Sequence, residues 1–254
     1  MVIAHDNDDS HIQSLARGLA VLTAFRPGAE RLTMAQVASA CGLTRAGARR
    51  ILLTLQNLGY VDVEDRHFFL TSKVLDLGQG FLGQSIWERA RPVLQDVVDR
   101  LNETASAGVL EGFDVVYTLR VRSSRVLHLE LHPGMHMPAH ASSIGRVLLA
   151  ALPQHQLAAY LRQATFKRYT AATVADPEVL RQRLDEVRTR GWCHVHGEID
   201  EGVSGVAVPL IDRDGVTRAA LSIGATLDRA TPEAVRQTIV PTLHEAAAKI
   251  GALL

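Results

Sequence analysis

The sequence predicts an α+β protein in two parts, a helical N-terminal segment that ends in a β-hairpin and a larger segment built on an antiparallel sheet. Residues 12–59 carry apolar side chains at helical spacing, and two short strands follow within residues 60–70. From residue 86 onward, helical stretches alternate with short β-branched runs that turn signals separate into hairpins. These patterns together indicate two domains of different architecture.

The composition is that of a folded, water-soluble chain. Its 254 residues include 27 basic and 27 acidic side chains, and 47% of them are hydrophobic, which excludes a disordered protein. Two cysteines, Cys41 and Cys193, cannot form a disulfide framework or a four-cysteine metal site. The acidic start lacks the features of a secretory signal, and the longest apolar stretch, 147–152, is too short to cross a membrane. We therefore expect a cytoplasmic protein with no membrane partner.

The zero net charge hides an uneven distribution. Residues 1–10 carry a charge of −3 and are predicted to be a disordered acidic tail, whereas residues 11–86 hold eight bases against five acids. The remaining residues have 19 of each and are neutral. Three of the bases, Arg45, Arg49 and Arg50, lie within six positions. A solvated helix face would show the same cluster, so the choice between such a face and a nucleic-acid contact depends on the secondary structure around these arginines.

Capping and turn residues predict a helix-turn-helix. Thr33 and Gln36 have the spacing of a capping box at the start of a second helix, which Gly42 ends. Thr44 caps a third helix, which runs to Gly59. Two short helices joined by a tight glycine-containing turn form this motif. A first helix, which Pro27–Gly28 ends, is predicted from apolar residues at helical spacing: Ile12, Leu15, Leu19, Leu22 and Phe25.

The outward face of the third helix predicts DNA binding, because this helix enters the major groove in helix-turn-helix proteins. The strands Tyr60–Val63 and His67–Leu70, joined through Glu64–Arg66, add the hairpin of a winged helix. A winged helix used only for protein contacts is the alternative. The candidate DNA-binding residues are Thr33, Gln36, Thr44, Arg45, Ala46, Gly47, Arg49, Arg50, Thr54 and Arg66.

A linker helix is predicted between the two domains. Thr71 opens an apolar helical stretch that glycines interrupt, and each glycine costs about 1 kcal/mol relative to alanine. A connector that lies against a second subunit would supply the packing that this helix lacks. We expect a tail at 1–10, a winged helix-turn-helix at 11–71, a linker helix at 72–86 and an effector-binding and oligomerisation domain at 87–254.

The C-terminal segment reads as an antiparallel sheet with helices between its hairpins. A helix begins at Ile86, and a final helix begins at Pro232. Between them the patterns predict strands at Ser106–Glu111, Val115–Arg122, Val126–Leu131, Trp192–His196, Val203–Ile211 and Val216–Ala225, and helices at Gly145–Ala151, Gln154–Gln163 and Pro177–Arg190.

This segment shows no signature of an enzyme or of a cofactor site. Glycine-rich nucleotide-binding loops and the Gly-x-Ser-x-Gly elbow are absent from the sequence. His194 and His196 lie two apart on a predicted strand, with Glu198 beyond, and form a minor candidate for a metal site. A polar pocket or a plain surface is the simpler interpretation, so we expect no cofactor.

The stretch around Ser142 and Ser143 allows two interpretations. With His140 nearby, the alternative function is a hydrolase or metal-dependent enzyme that uses Ser142 or the histidine pair, with the N-terminal domain only targeting it to DNA, although no third catalytic partner is evident. The favoured interpretation uses the predicted helix start at Ser142, Ser143, Ile144 and Gly145, where free amides and hydroxyls can receive a small carboxylate. A simple N-cap serine would give the same pattern.

Five stretches together resemble one family. They are Ser14–Phe25 (SLARGLAVLTAF), Leu32–Val61, Pro138–Pro153 (PAHASSIGRVLLAALP), Arg190–Leu210 (RGWCHVHGEIDEGVSGVAVPL) and Ala219–Ala225 (AALSIGA). Over residues 11–252 the chain resembles the IclR family of bacterial transcription regulators, and it is most similar to the branch that regulates protocatechuate, 4-hydroxybenzoate and related aromatic-acid catabolism.

The resemblance implies a winged helix, a linker helix and a GAF-like effector domain, assembled as dimers or tetramers on a palindromic operator. Some family members hold a metal in the effector domain. The family usually has an acidic residue where His196 stands, and an arginine followed by Ser or Cys where Ser204–Gly205 stand. His196 is therefore a candidate either to replace part of the arginine's positive charge or to select another ligand. The effector pocket it implies comprises Ser143, Ile144, Val195, His196, Gly205, Ser222 and Gly224.

Overall fold

The computed structural model describes residues 12–26, 28–82, 86–125 and 131–254. The chain divides into two compact units, and the division falls at residues 84–85, within the predicted linker. The predicted acidic tail lies outside the described residues, as does the predicted strand Val126–Leu131 apart from Leu131. No helix among the described residues is long and apolar enough to span a membrane.

The N-terminal unit is a helix-turn-helix with a wing. A three-stranded antiparallel sheet in the order β1-β3-β2 closes against the helices, and the shared core includes Val21, Val37, Leu52 and Phe68. The elements are α1 (Gln13–Ala24), β1 (Leu32–Thr33), α2 (Met34–Ala40), α3 (Arg45–Asn57), β2 (Val61–Glu64) and β3 (His67–Leu70). The predicted winged helix-turn-helix is therefore present.

The first helix buries fewer of its apolar residues than its spacing predicts. Ile12, Leu15 and Leu19 are exposed, whereas Val21 and Phe25 enter the core of the unit. Helical periodicity identifies an apolar stripe but not which part of it the unit covers. After β3, Thr71 caps a short 3-10 turn that leads into α4 (Leu75–Leu82), where Leu75 and Leu77 are exposed.

The C-terminal unit is built on a six-stranded antiparallel sheet in the order β6-β5-β4-β9-β8-β7. This arrangement confirms the predicted α+β architecture. The strands are β4 (Thr104–Glu111), β5 (Asp114–Val121), β6 (His136–Pro138), β7 (Cys193–His196), β8 (Val203–Ile211) and β9 (Thr217–Thr226). The helices are α5 (Ile86–Leu101), α6 (Ser143–Ala151), α7 (Gln154–Gln163), α8 (Pro177–Arg190), α9 (Pro232–Ala234) and α10 (Val240–Gly251).

Helices cover the sheet on two sides. Leu94 of α5 and Leu243 of α10 pack in one core with Val206, Leu221 and other strand residues. In a second core, α6, α7 and α8 pack against strand residues that include Val115, Tyr117 and Ala207. The final helix is interrupted by a π-helical segment, Val235–Ile239, just before Pro241. Proline has no backbone N–H to donate, which accounts for the irregular hydrogen bonding there.

Candidate DNA-binding and effector sites

The third helix presents a basic face to solvent. Arg45, Arg49 and Arg50 are exposed, whereas Leu52 and Leu55 are buried on the opposite face. The structure gives these three arginines no ion pair within the described part of the chain. Ala46 and Thr54 lie on the same exposed face. The start of α3 therefore presents cationic side chains to a partner, and its small Ala46 side chain allows that partner to approach closely.

The capping residues set the geometry of both helices. The Thr33 hydroxyl accepts a hydrogen bond from the Gln36 amide at 3.4 Å, and the Gln36 side chain accepts one from the Thr33 amide at 2.8 Å. The predicted capping box is therefore present. Thr44 accepts from the Gly47 amide at 3.1 Å at the start of α3. These four candidate residues orient the helices through backbone contacts.

The wing turns at Asp65 and Arg66, which both have positive φ angles, 47° and 67°. Two such residues form the tight turn that matches the twist of a hairpin. Arg66 is exposed at its tip. An ion pair of 2.7 Å between Arg31 and Glu64 joins the end of β2, next to this turn, to the segment before β1, a contact that the sequence did not indicate.

The C-terminal unit contains a narrow cavity of about 80 Å³ where the start of α6 faces the sheet. A space of this size holds several water molecules or one small organic acid. Its wall combines apolar side chains with hydroxyls, one arginine and the two acids Glu198 and Asp200. The lining residues include Ser106, Tyr117, Arg120, Leu131, Met137, Ser142, Ser143, Val195, Ser204, Gly205, Ser222 and Gly224.

A polar row crosses the sheet in this wall. Arg120 of β5 pairs with Ser106 of β4, and Ser106 pairs with Ser222 of β9. The Arg120 Nη1 atom donates to the Ser106 hydroxyl at 3.2 Å, but its buried Nε has no hydrogen-bond partner. Burial lowers the pKa of Arg120 and raises that of Tyr117 to about 12, so Tyr117 stays a neutral phenol. Of the described residues that line the cavity, Arg120 is the only arginine or lysine.

The start of α6 approaches the sheet closely. Ser142 caps the helix by accepting a hydrogen bond from the Gly145 amide at 3.2 Å. A β-carbon on Gly205 would lie 2.8 Å from the Ser143 Oγ, so only glycine leaves room for this approach. The helix start thus supplies backbone amides and hydroxyls to one side of the cavity.

Three of the sequence-predicted effector residues lie outside the cavity wall. Ile144 is buried in the core beside α6. A β-carbon on Gly145 would lie only 2.2–2.6 Å from backbone atoms of Ala139, so this glycine allows α6 to pack closely against the Ala139 backbone. His196 is exposed on the opposite side of β7 from Val195, because successive side chains of a strand point to opposite faces.

A buried ion pair supports the loop beside the cavity. The Arg146 Nη2 lies 2.6 Å from the Glu198 Oε2, and both side chains are less than 10% exposed. Glu198 also accepts from the Val174 amide at 2.8 Å. The Thr173 hydroxyl donates to the Glu198 carbonyl at 2.6 Å. These contacts hold Glu198, Ile199 and Asp200 against the cavity.

The structure also places the residues of the two alternative interpretations. His194 bonds through its Nε2 to the Ser204 hydroxyl at 2.7 Å, and Glu198 is engaged by Arg146. Among the described residues, no three histidine, cysteine or acidic side chains are grouped to hold a metal ion. The hydrogen bond of Ser142 is the helix cap, not a bond to a histidine that would activate it.

Comparison with known proteins decides the family. The family profile described as "IclR helix-turn-helix domain" matches residues 14–65, and that described as "Bacterial transcriptional regulator IclR C-terminal" matches residues 81–252. The chain belongs to the IclR family of bacterial transcription regulators. The predicted resemblance is therefore confirmed, and this IclR-family protein is a DNA-binding regulator controlled by a small molecule.

Named relatives of this regulator control aromatic catabolism. The Pca regulon regulatory protein of Pseudomonas putida is 38% identical over 94% of this chain and 83% of its own length. The p-hydroxybenzoate hydroxylase transcriptional activator of Acinetobacter baylyi is 32% identical over 97% of this chain and 93% of its own length. An IclR homologue from Microbacterium hydrocarbonoxydans, solved in complex with 4-hydroxybenzoate, matches with a TM-score of 0.83 and 27% identity. The match covers 94% of this chain and 98% of that one. These relatives are regulators rather than enzymes, as the sequence predicts.

Proposed function

We propose that this regulator binds a palindromic operator as a dimer or tetramer through α3, and that an aromatic or other small organic acid in the Arg120 cavity controls its DNA affinity. It acts in the cytoplasm, where bacterial DNA is accessible. The observation that carries the effector proposal is Arg120, a partly buried cation whose Nε has no hydrogen-bond partner in the wall of a narrow cavity.

The chemistry of the cavity supports a carboxylate ligand. A guanidinium forms two parallel hydrogen bonds with a carboxylate, and an unpaired buried Nε costs free energy until such a ligand arrives. Tyr117, Leu131 and Met137 supply apolar and aromatic surface for a ring. The Ser106 and Ser222 hydroxyls stand in the same row as Arg120 and add donors that select for oxygen-bearing ligands.

The basic face of α3 supports the DNA part of the proposal. Arg45, Arg49 and Arg50 are exposed at the N-terminal half of a capped helix, which is the half that docks in the major groove. Arginine reads guanine by two hydrogen bonds, and it also neutralises phosphates. A palindromic operator then requires two copies of α3, which the proposed dimer supplies.

The effector proposal is tested by isothermal titration calorimetry with 4-hydroxybenzoate, protocatechuate and an aliphatic acid of similar size. An Arg120→Met variant should weaken binding of the preferred acid by about 10- to 100-fold, because charge-assisted hydrogen bonds are lost. Arg162→Ala, which removes an exposed arginine from α7, is the matched control and should bind like the wild type. Unchanged affinity in Arg120→Met would refute the assignment.

The DNA proposal is tested on operators selected by the wild-type protein from a pool of random duplexes. In a mobility-shift titration, Arg49→Ala should cost about 1–3 kcal/mol of binding free energy if it reads a base, and the loss should concentrate at one operator position. Arg162→Ala again serves as the control. The assignment fails if the Arg45, Arg49 and Arg50 variants all bind the selected operator like the wild type. Light scattering of the complex reports the number of copies bound.

A further inference from the structure

A second and larger cavity, of about 420 Å³, lies along the outer side of β7. The strand β7 is at the edge of the six-stranded sheet, so its free side opens towards solvent. The cavity is bounded by the last turns of α8, by β7 itself and by the segment from α9 into the π-helical turn. We call it the β7 groove. Its wall contains none of the serines of the effector cavity, but Glu198 borders both.

The β7 groove is rich in positive charge. Among the described residues, Arg146, Arg183, Arg190 and Arg236 line it together with two acids, Glu186 and Glu198. Four arginines against two glutamates leave a net charge of +2 with both histidines neutral. His194 and His196 add further donors, and their rings stand edge to face with centroids 5.8 Å apart.

Both acids of the groove form ion pairs with arginines that line it. Arg146 binds Glu198 at 2.6 Å, and Arg183 binds Glu186 at 3.3 Å. Arg236, by contrast, is exposed and has no hydrogen bond or ion pair with any residue that the structure describes. The excess positive charge of the groove is therefore not neutralised by the residues that the structure describes.

Arg190 is held in place at the opposite wall. Its Nε donates to the Trp192 carbonyl at 2.8 Å, and its guanidinium stacks on the Trp192 ring at 4.2 Å from the centroid. The hydrogen bond uses Nε rather than the terminal nitrogens, and both contacts restrain the side chain. A pre-ordered guanidinium loses little conformational freedom when a ligand binds. Burial and the neighbouring His196 and Arg190 lower the pKa of His194, which lies beside this guanidinium.

We propose that the β7 groove is a second ligand site, which binds a small oxyanion of two or more negative charges, a phosphate ester or a polycarboxylate. Arg190 and Arg236 provide the charge from opposite walls, and the two histidines provide hydrogen bonds. The site is distinct from the Arg120 cavity. It is nevertheless connected to it, because His194 in the groove bonds to Ser204 in the cavity wall at 2.7 Å.

The test is calorimetric titration of the full chain with citrate and, separately, with inorganic phosphate, at low ionic strength in a buffer free of both. Preference for one of the two probes distinguishes a polycarboxylate site from a phosphate site. Arg236→Ala should weaken binding of the preferred probe by about 10-fold, and Arg236→Glu by more, because it places a negative charge in the groove. Neither substitution removes a packing or hydrogen-bond partner, so both proteins should fold.

Two control variants locate the site. Arg162→Ala, outside both cavities, and Arg120→Met, in the effector cavity, should bind the preferred probe like the wild type. The proposal is overturned if neither probe binds at millimolar concentrations, or if the Arg236 variants bind it normally. It is also overturned if Arg120→Met abolishes binding, because the probe then occupies the effector cavity. Failure of the aromatic-acid titration leaves this outcome unaffected, since the two experiments use different ligands and different deciding variants, Arg120→Met for the acid and Arg236→Ala for the probe.

Discussion

Replacement of Glu198 by glutamine should destabilise the protein far more than the same replacement at a surface ion pair. The Arg146–Glu198 pair has an N–O distance of 2.6 Å, with side chains 5% and 7% exposed. Removing one partner leaves a buried guanidinium without its counter-charge, which typically costs 3–5 kcal/mol. Glutamine still accepts a hydrogen bond from the Val174 amide, so we expect a loss near the lower end, about 3 kcal/mol.

A matched control exists in α8. Glu178 and Arg181 form an ion pair with the same N–O distance, 2.6 Å, but their side chains are 61% and 48% exposed. Solvent screening reduces such a pair to about 0–1 kcal/mol, so Glu178→Gln should be nearly neutral. The two substitutions make the same chemical change at the same distance and differ in burial.

Urea denaturation and thermal melts followed by circular dichroism measure both effects. For a chain of this size, about 3 kcal/mol corresponds to a fall in Tm of roughly 6–12 °C. A double variant, Arg146→Met with Glu198→Leu, should recover part of the loss because it removes both buried charges. If Glu198→Gln proves as mild as Glu178→Gln, the buried pair does not support the loop, and the reasoning is refuted.

Three further predictions follow from single contacts. Gly205→Ala should cost about 1–3 kcal/mol of stability because its β-carbon meets the Ser143 Oγ, and Ser143→Ala in the same chain should recover part of it; equal urea midpoints for the single variant and the wild type would contradict this. Arg66→Gly should raise the unfolding free energy of the N-terminal unit by about 0.5–1 kcal/mol, since residue 66 has a φ of 67°; a lower thermal midpoint would show that the turn is not strained. The free energy of unfolding should fall as the pH drops below about 6.5, because burial lowers the pKa of His140 in the folded state and the unfolded chain takes up the proton first. Denaturation at pH 7 and pH 5 measures this, and a His140→Gln variant should lose less stability between the two values.

Much of the secondary structure follows from local signals. The helices Gln154–Gln163 and Pro177–Arg190 and the strand Val203–Ile211 have the predicted bounds. Each is delimited by residues whose effect is local, such as the Asp176 cap and the left-handed Gly191 around α8. By contrast, β6 comprises only three residues and ends in proline, so its own sequence is too short to show a strand pattern. Its pairing with β5 is what identifies it as a strand.

The Arg120 cavity, the proposed effector site, was predictable only in part. Ser143, Val195, Gly205, Ser222 and Gly224 line it, as the family resemblance implies. His196, expected to supply the positive charge of the cavity, instead faces the β7 groove.

Arg120 supplies that charge from β5, a strand for which the sequence predicts no site residue. One signal was available in the sequence, namely a lone arginine within the apolar strand VVYTLRV. Its meaning depends on the register that aligns Arg120 with Ser106 and Ser222 across three strands.

The sequence by itself determined the family, the capped helix-turn-helix with its outward arginines and the alternation of helices and strands. These features depend on residues within a few positions of one another, where spacing and capping act directly. Only the tertiary structure decided which side of β7 faces the Arg120 cavity, which arginine lines that cavity, and that Glu198 pairs with Arg146. Those outcomes depend on contacts between residues far apart in the chain, and strand order and register bring such residues together.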